Sequence, residues 1–129
     1  MNNSCANNNS IILNGDNFKH SISLSDVVDG KRQLIDLSNV NIVAVYYTLD
    51  SDKKFTATKT GNTCVNCIFD SVNNRLKVIF DGYNLDNGMI HCSITISIPD
   101  NDYQSGYAMY KKIACIGVSL VDESFFTNG

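Results

Sequence analysis

The chain has 129 residues, 43% hydrophobic and 18% charged, the composition of one folded domain with a single ordinary core rather than of a disordered segment. A net charge of −3 argues against a general nucleic-acid binder, because neutralising phosphates takes clustered Lys and Arg. No run approaches the about 20 apolar residues of a membrane span, and "MNNSCANNNS" lacks the basic and apolar regions of a secretory leader, so synthesis in a cytoplasm away from membranes is expected.

Residues 1–12 form a polar, Asn-rich, low-complexity stretch that reads as an extended N-terminal arm. The body, residues 13–121, is dominated by apolar residues recurring at period two, the signature of strands. In "FKHSISL" the alternate positions Phe18, His20, Ile22 and Leu24 share one face. "DLSNVN" has room for one helical turn. "VNIVAVYYTL", Val40 to Leu49, is apolar or aromatic on both faces, as expected of a central strand covered on both sides. "TCVNCIF" reads as a strand with Val65, Cys67 and Phe69 on one face and Cys64, Asn66 and Ile68 on the other. "RLKVIF" turns Leu76, Val78 and Phe80 inward and Arg75 and Lys77 outward.

"MIHCSITISIP" is the clearest strand: Ile90, Cys92, Ile94, Ile96 and Ile98 face one way, His91, Ser93, Thr95 and Ser97 the other, and Pro99 ends it. The last, "KIACIGVSLV", lines up Ile116, Val118 and Leu120, with Gly117 as a candidate bulge. Turn residues such as "NGD", "VDGK", "LDSDKK", "SVNNR", "DGYNLDNG" and "DNDYQSG" punctuate these runs. No stretch sustains a helical period. The fold class is therefore all-β, a single antiparallel β-sandwich or small barrel, and we expect an immunoglobulin-like sandwich with extended arms at both ends. Residues 122–129 make the C-terminal tail, which carries Phe125 and Phe126. Neither tail has much capacity to fold alone, so neighbouring subunits are expected to hold them.

Chemistry is scarce. Five cysteines at irregular spacing make a poor disulfide framework and suit a reducing cytosol. The Cys64-x-x-Cys67 pair, with His91 and Cys92, raises zinc, which needs four converging ligands. On a continuous strand, residues three apart diverge, as do adjacent His91 and Cys92, so Cys67 and Cys92 read as small buried hydrophobes. A thioredoxin-like pair would place its first cysteine at a helix N-terminus, which is missing here. His20 sits on an apolar face and reads as a core or edge histidine. No nucleophile elbow, P-loop or dinucleotide fingerprint occurs, and "DNDYQSG" does not match a calcium loop, leaving Asp100 and Asp102 as turn formers. Neither an enzyme nor a cofactor or metal site is expected. Lys111 and Lys112 read as a solvated strand edge that discourages aggregation.

What remains is surface. Tyr83, Tyr103, Tyr107 and Tyr110 are expected to cluster on loops, where aromatics anchor interfaces or cap the ends of a sandwich. Together with Asn7 and Ile11 of the arm and Phe125 and Phe126 of the tail, they form the candidate partner-binding set.

The run "LKVIFDGYNLDNGMIHCSITISIPDNDYQSGYAMYKKIACIGVSLV" resembles small β-sandwich domains of virion proteins from tailed phages of Bacteroides-type gut bacteria, including crAss-like phages. The matching positions are Val78, Phe80, Leu85 and Gly88, then Ile96 to Asp100 with Tyr103 and Gly106, and finally Leu120 and Val121. "NGDNFKHSISLSD" is similar to the opening strand of those domains, so the resemblance spans about residues 13–121; Ser105 stands where a proline often precedes the glycine. It implies a structural protein of the phage particle, made in the bacterial cytoplasm and located in the virion: a capsid-decoration or head-fibre-attachment subunit, with a tail-fibre or baseplate role as the alternative within that class. It carries over no catalytic residues. Other virion proteins, capsid or fibre subunits, are the implied partners, and a homo-oligomer, a trimer or symmetric copies on a larger shell, is expected. From another class, a carbohydrate-binding adhesion module would use the tyrosine loops on a surface glycan.

Overall fold

The computed structural model describes residues 10–124, an all-β fold. Its strands, in chain order, are β1 (Ser10–Leu13), β2 (Phe18–Ile22), β3 (Ser25–Val28), β4 (Lys31–Leu34), β5 (Asn41–Thr48), β6 (Phe55–Thr60), β7 (Thr63–Val65), β8 (Cys67–Asp70), β9 (Arg75–Phe80), β10 (Gly88–Pro99) and β11 (Tyr107–Val121). They form a six-stranded sheet in the order β1-β11-β10-β5-β6-β7, a three-stranded sheet β2-β9-β8, and the separate hairpin β3-β4. A 3-10 turn, Leu37–Asn39, stands where "DLSNVN" allowed a helical turn. Its entry is capped by Asp36, whose carboxylate accepts from Ser38 N at 3.0 Å.

Alternation in β10 does what its sequence requires: Ile90, Cys92, Ile94 and Ile96 are buried, while the residues between them are not. That face meets Ile22, Leu76, Val78 and Phe80 of the smaller sheet, so one core lies between the two sheets. Phe80, 1% exposed, is its centre. Its ring stacks on Phe18 at 4.2 Å and on Phe55 at 4.3 Å, and Tyr46 meets it edge-on at 4.9 Å. The face shared by Phe18, His20 and Ile22 is the one turned toward this core, as their spacing predicts.

Several expectations change. At Ser10, inside the stretch read as an arm, β1 begins, and it pairs with β11 from Ser10↔Val118 to Leu13↔Val121. This pairing is parallel, so the larger sheet is not wholly antiparallel. β6 and the β3-β4 hairpin are strands that hydrophobic alternation did not announce, because "FTATKT" and "KRQL" carry too few apolar residues. β5 is covered on one face only: Ile42, Ala44, Tyr46 and Thr48 are buried, whereas Val43 is exposed. β11 starts at Tyr107, five residues before the "KIACIGVSLV" run.

Gly117 does sit at a bulge. β10 and β11 lose register between Met89 and His91, opposite Ser119 and Cys115, and Gly117 takes φ 76°, a conformation disfavoured for residues with a Cβ. Within the bulge Ile116 and Val118 pack on the core, and beyond it Leu120 is buried.

"TCVNC" is where the one-strand reading fails. Asn66 takes φ 60°, the left-handed region that asparagine tolerates better than most residues. There the chain leaves β7 of the larger sheet and enters β8 of the smaller one. Asn66 binds both sides of the crossing: its Nδ2 donates to Thr56 O at 2.9 Å, and its carbonyl accepts from Ile79 N at 2.9 Å. The kink resets the alternation. Val65 is 51% exposed instead of sharing the core face of Cys67, and Cys64 packs against the core instead of facing away.

Candidate functional site

The antiparallel pairing of β5, β6 and β10 gives the larger sheet two ends. At one lie Asn41, Gly61, Pro99 and Tyr107, which line a hollow of about 720 Å³ together with Ser38 and Asn62. The Asp100–Gly106 connection closes over this end through Asp100 N to Gly106 O at 2.8 Å and Gly106 N to Tyr103 O at 2.9 Å. Tyr103 and Tyr107 therefore belong together, 53% and 40% exposed.

Tyr83 does not join them. Its hydroxyl donates to Lys54 O at 2.7 Å and its ring packs on Phe55 at 4.9 Å, both at the opposite end of the sheet. The expected four-tyrosine cluster is thus split by the length of the strands, and Tyr83 acts as an end cap. Tyr110 lies opposite Ile96 and lines a small cleft with Ile35, Ile98 and Lys112. Of the other candidates, Ile11 is on β1 at the sheet edge and exposed, while Asn7, Phe125 and Phe126 lie outside the described residues.

A surface that the loop argument passed over emerges instead on β11. Its residues Met109–Ala114 are all exposed, on both faces of the strand. On one side this half pairs with β10; on the other, β1 reaches only Val118–Val121, so Tyr107–Ala114 has no strand beside it among the described residues. Met109, Tyr110 and Ile113 are exposed here, flanking Lys111 and Lys112. The lysines sit on the edge strand, as read from the sequence. The signal for the rest was an alternation broken by "MYKKI", in which neither parity is polar throughout.

The buried polar groups are built for structure. His20 Nδ1 lies 2.7 Å from the hydroxyl of Tyr46, which is fully buried. Burial raises the Tyr46 pKa, so the phenol stays protonated and donates to the imidazole. Burial lowers the His20 pKa, favouring the neutral ring that accepts this bond. Burial pushes the Cys92 thiol up to about 11, outweighing the lowering effect of Tyr46, and it remains a thiol. A histidine with a depressed folded pKa contributes stability that is present above its unfolded value of 6.5 and lost as pH falls through the lower folded value. Urea unfolding should therefore show wild-type stability falling below about pH 6.5, above the carboxylate range. His20→Gln should flatten that part of the profile, and an unchanged slope would refute the assignment.

His91 and Cys92 diverge as expected of neighbours on a strand. Cys92 is in the core, while His91 stacks on Tyr47 at 5.7 Å. Among the described residues no three His, Cys, Asp or Glu side chains gather into a metal-holding group. Nor is any described helix long and apolar enough to cross a membrane. Cys115 is disulfide-bonded. Five irregularly spaced cysteines argue against a framework of several bridges, not against a single one. Compared with known proteins, the chain matches no family model, no curated protein and no solved structure.

Proposed function

We propose that this chain is a non-enzymatic structural subunit of a phage virion, a capsid-decoration or head-fibre-attachment protein, which binds neighbouring subunits by accepting a partner strand along β11. The observation that carries the reading is the first half of β11, exposed on both faces and unpaired along one edge among the described residues. An unpaired edge offers a row of main-chain donors and acceptors, and strand addition is a common way to satisfy them. Met109, Tyr110 and Ile113 supply the apolar contacts that turn such pairing into affinity, and Lys111 and Lys112 favour a partner segment with acidic residues.

The scaffold for this role is a variable-type immunoglobulin-like β-sandwich. Strand order supports that assignment: β11-β10-β5-β6-β7 follows the order G-F-C-C′-C″, and β2-β9-β8 follows B-E-D. The hollow beside Tyr107 then lies at the end where variable domains carry their binding loops. Tyr103 and Tyr107 on that end favour the second reading, adhesion to a surface glycan.

The test is incorporation. Met109→Glu combined with Ile113→Glu alters only exposed positions, so the domain should keep its thermal midpoint within about 2 °C. Purified particles from a host expressing this variant should lack the protein, by mass spectrometry, where the wild type is present. Incorporation at the wild-type level would refute the β11 docking surface, and absence of the wild type from particles would refute the virion assignment.

A further inference from the structure

The Asn66 kink does more than reset alternation: it brings together two thiols that a straight strand would separate. Cys64 and Cys67 are both free thiols, one on each side of that kink. Both line a cavity of about 370 Å³ whose other walls include Lys59 and Phe69. Their surroundings differ. Cys67 is buried, its thiol donating to Thr58 O at 3.2 Å, whereas Cys64 is only partly buried. Lys59 is directly opposite Cys64 in the β6–β7 pairing, and cross-strand partners project from the same face about 5 Å apart. The Lys59 ammonium is buried and held by carbonyl oxygens, with no carboxylate in ion-pair reach among the described residues.

We propose that Cys64 and Cys67 are a redox-active dithiol, in which Cys64 reacts with low-molecular-weight disulfides and Cys67 resolves the product into a Cys64–Cys67 disulfide. The accessible Cys64 loses its proton and attacks one sulfur of the small disulfide, forming a mixed disulfide and releasing one small thiolate, which takes up that proton. Cys67 then attacks the Cys64 sulfur, expels the second small thiolate and transfers its own proton to it. Two protein thiols are oxidised, and one small disulfide is reduced to two thiols. Burial pushes the Cys67 thiol up to about 11, so it is a poor first nucleophile and must act after Cys64, at close range. The site is independent of the assembly role proposed above. Only two residues separate the cysteines, so the closed loop is short and the bond adds little by chain entropy. Its effect is local, tying the end of β7 to the start of β8 and so one sheet to the other.

The experiment incubates the full chain with oxidised glutathione, alkylates the remaining thiols and maps the peptides by mass spectrometry. In the wild type, Cys64 and Cys67 should be lost together to alkylation, on a peptide lighter by two hydrogens, while buried Cys92 stays a thiol. In Cys67→Ser, and in Cys67→Ala as a second variant in case the serine hydroxyl disturbs folding, the glutathione adduct on Cys64 should accumulate about tenfold above the wild-type level. Wild-type chain that keeps both thiols alkylatable would overturn the proposal. So would a wild-type glutathione adduct on Cys64 as abundant as in the Cys67 variants, because Cys67 would then not be resolving it.

Discussion

Phe80→Ala is expected to lower folding stability by about 3–5 kcal/mol, the largest effect of any single truncation in this core. Phe80 is 1% exposed, so the loss combines buried apolar area with a cavity that its neighbours cannot close. Those neighbours come from both sheets. Phe18 and Phe80 itself belong to the smaller sheet, Tyr46 and Phe55 to the larger, and all three rings lie within 4.2–4.9 Å of the Phe80 ring. Removing it therefore takes away aromatic contacts that hold one sheet against the other, beyond its burial. A domain of ordinary stability has about 5–15 kcal/mol in all, so the variant should melt roughly 10–20 °C lower or fail to accumulate folded. Phe80→Leu keeps most of the volume and should recover more than half of the loss. Calorimetry showing Phe80→Ala within about 1 kcal/mol of wild type would mean the two sheets do not pack through this residue.

Lys59 sets the second expectation. Its side chain is buried, and its Nζ donates to Val40 O at 2.9 Å and Ser38 O at 3.3 Å, with the Phe69 ring 5.1 Å away. The position is built for a donor and a positive charge. Lys59→Glu would turn a carboxylate toward two carbonyl oxygens with no donor at hand, and a buried charge without compensation costs about 3–5 kcal/mol. Lys59→Met removes the charge together with its desolvation cost, leaving two carbonyls short of a donor; these effects oppose each other, and a net loss of about 1–2 kcal/mol is expected. Urea unfolding should place the variants in the order wild type, Met, Glu. Equal stability of Met and Glu would show that the site is open to water.

The lysine is also a place where alternation alone misleads. "FTATKT" has a polar residue at a position that its strand turns inward, and nothing local in the sequence announces that Val40 and Ser38 will be waiting for it. The same holds for Asn74, which donates to Ile35 O and accepts from Leu37 N, each at 2.8 Å, and so tethers a connection some three dozen residues away. Partners that distant in sequence are decided by the packing of sheets, not by the residues beside them.

β9 and β10 were legible because each is bound by one continuous pattern: Leu76, Val78 and Phe80, or Ile90 to Ile96, lie at period two with polar residues between. The candidate surface was legible only in part. Tyr103 and Tyr107 are exposed where the loop residues suggested, yet Tyr83 lies at the far end, since nearness along the chain does not survive a strand of β10's length. The exposed half of β11 was invisible to periodicity, because whether a strand has a neighbour depends on where other strands stop.

By itself, the sequence determined that this is an all-β chain, and which face of its clearest strands is buried. Alternation and turn chemistry are properties of consecutive residues, and the physics of a pleated strand acts on them directly. Only the tertiary structure decided that β1 runs parallel to β11, that β11 keeps a free edge among the described residues, and that Lys59 is held inside. It also decided the meaning of "TCVNC": one left-handed asparagine at the crossing between sheets brings two cysteines of opposite parity to the wall of one cavity. A local rule of alternation holds only while the backbone stays in one strand, and where the chain changes sheets the geometry of the crossing takes over.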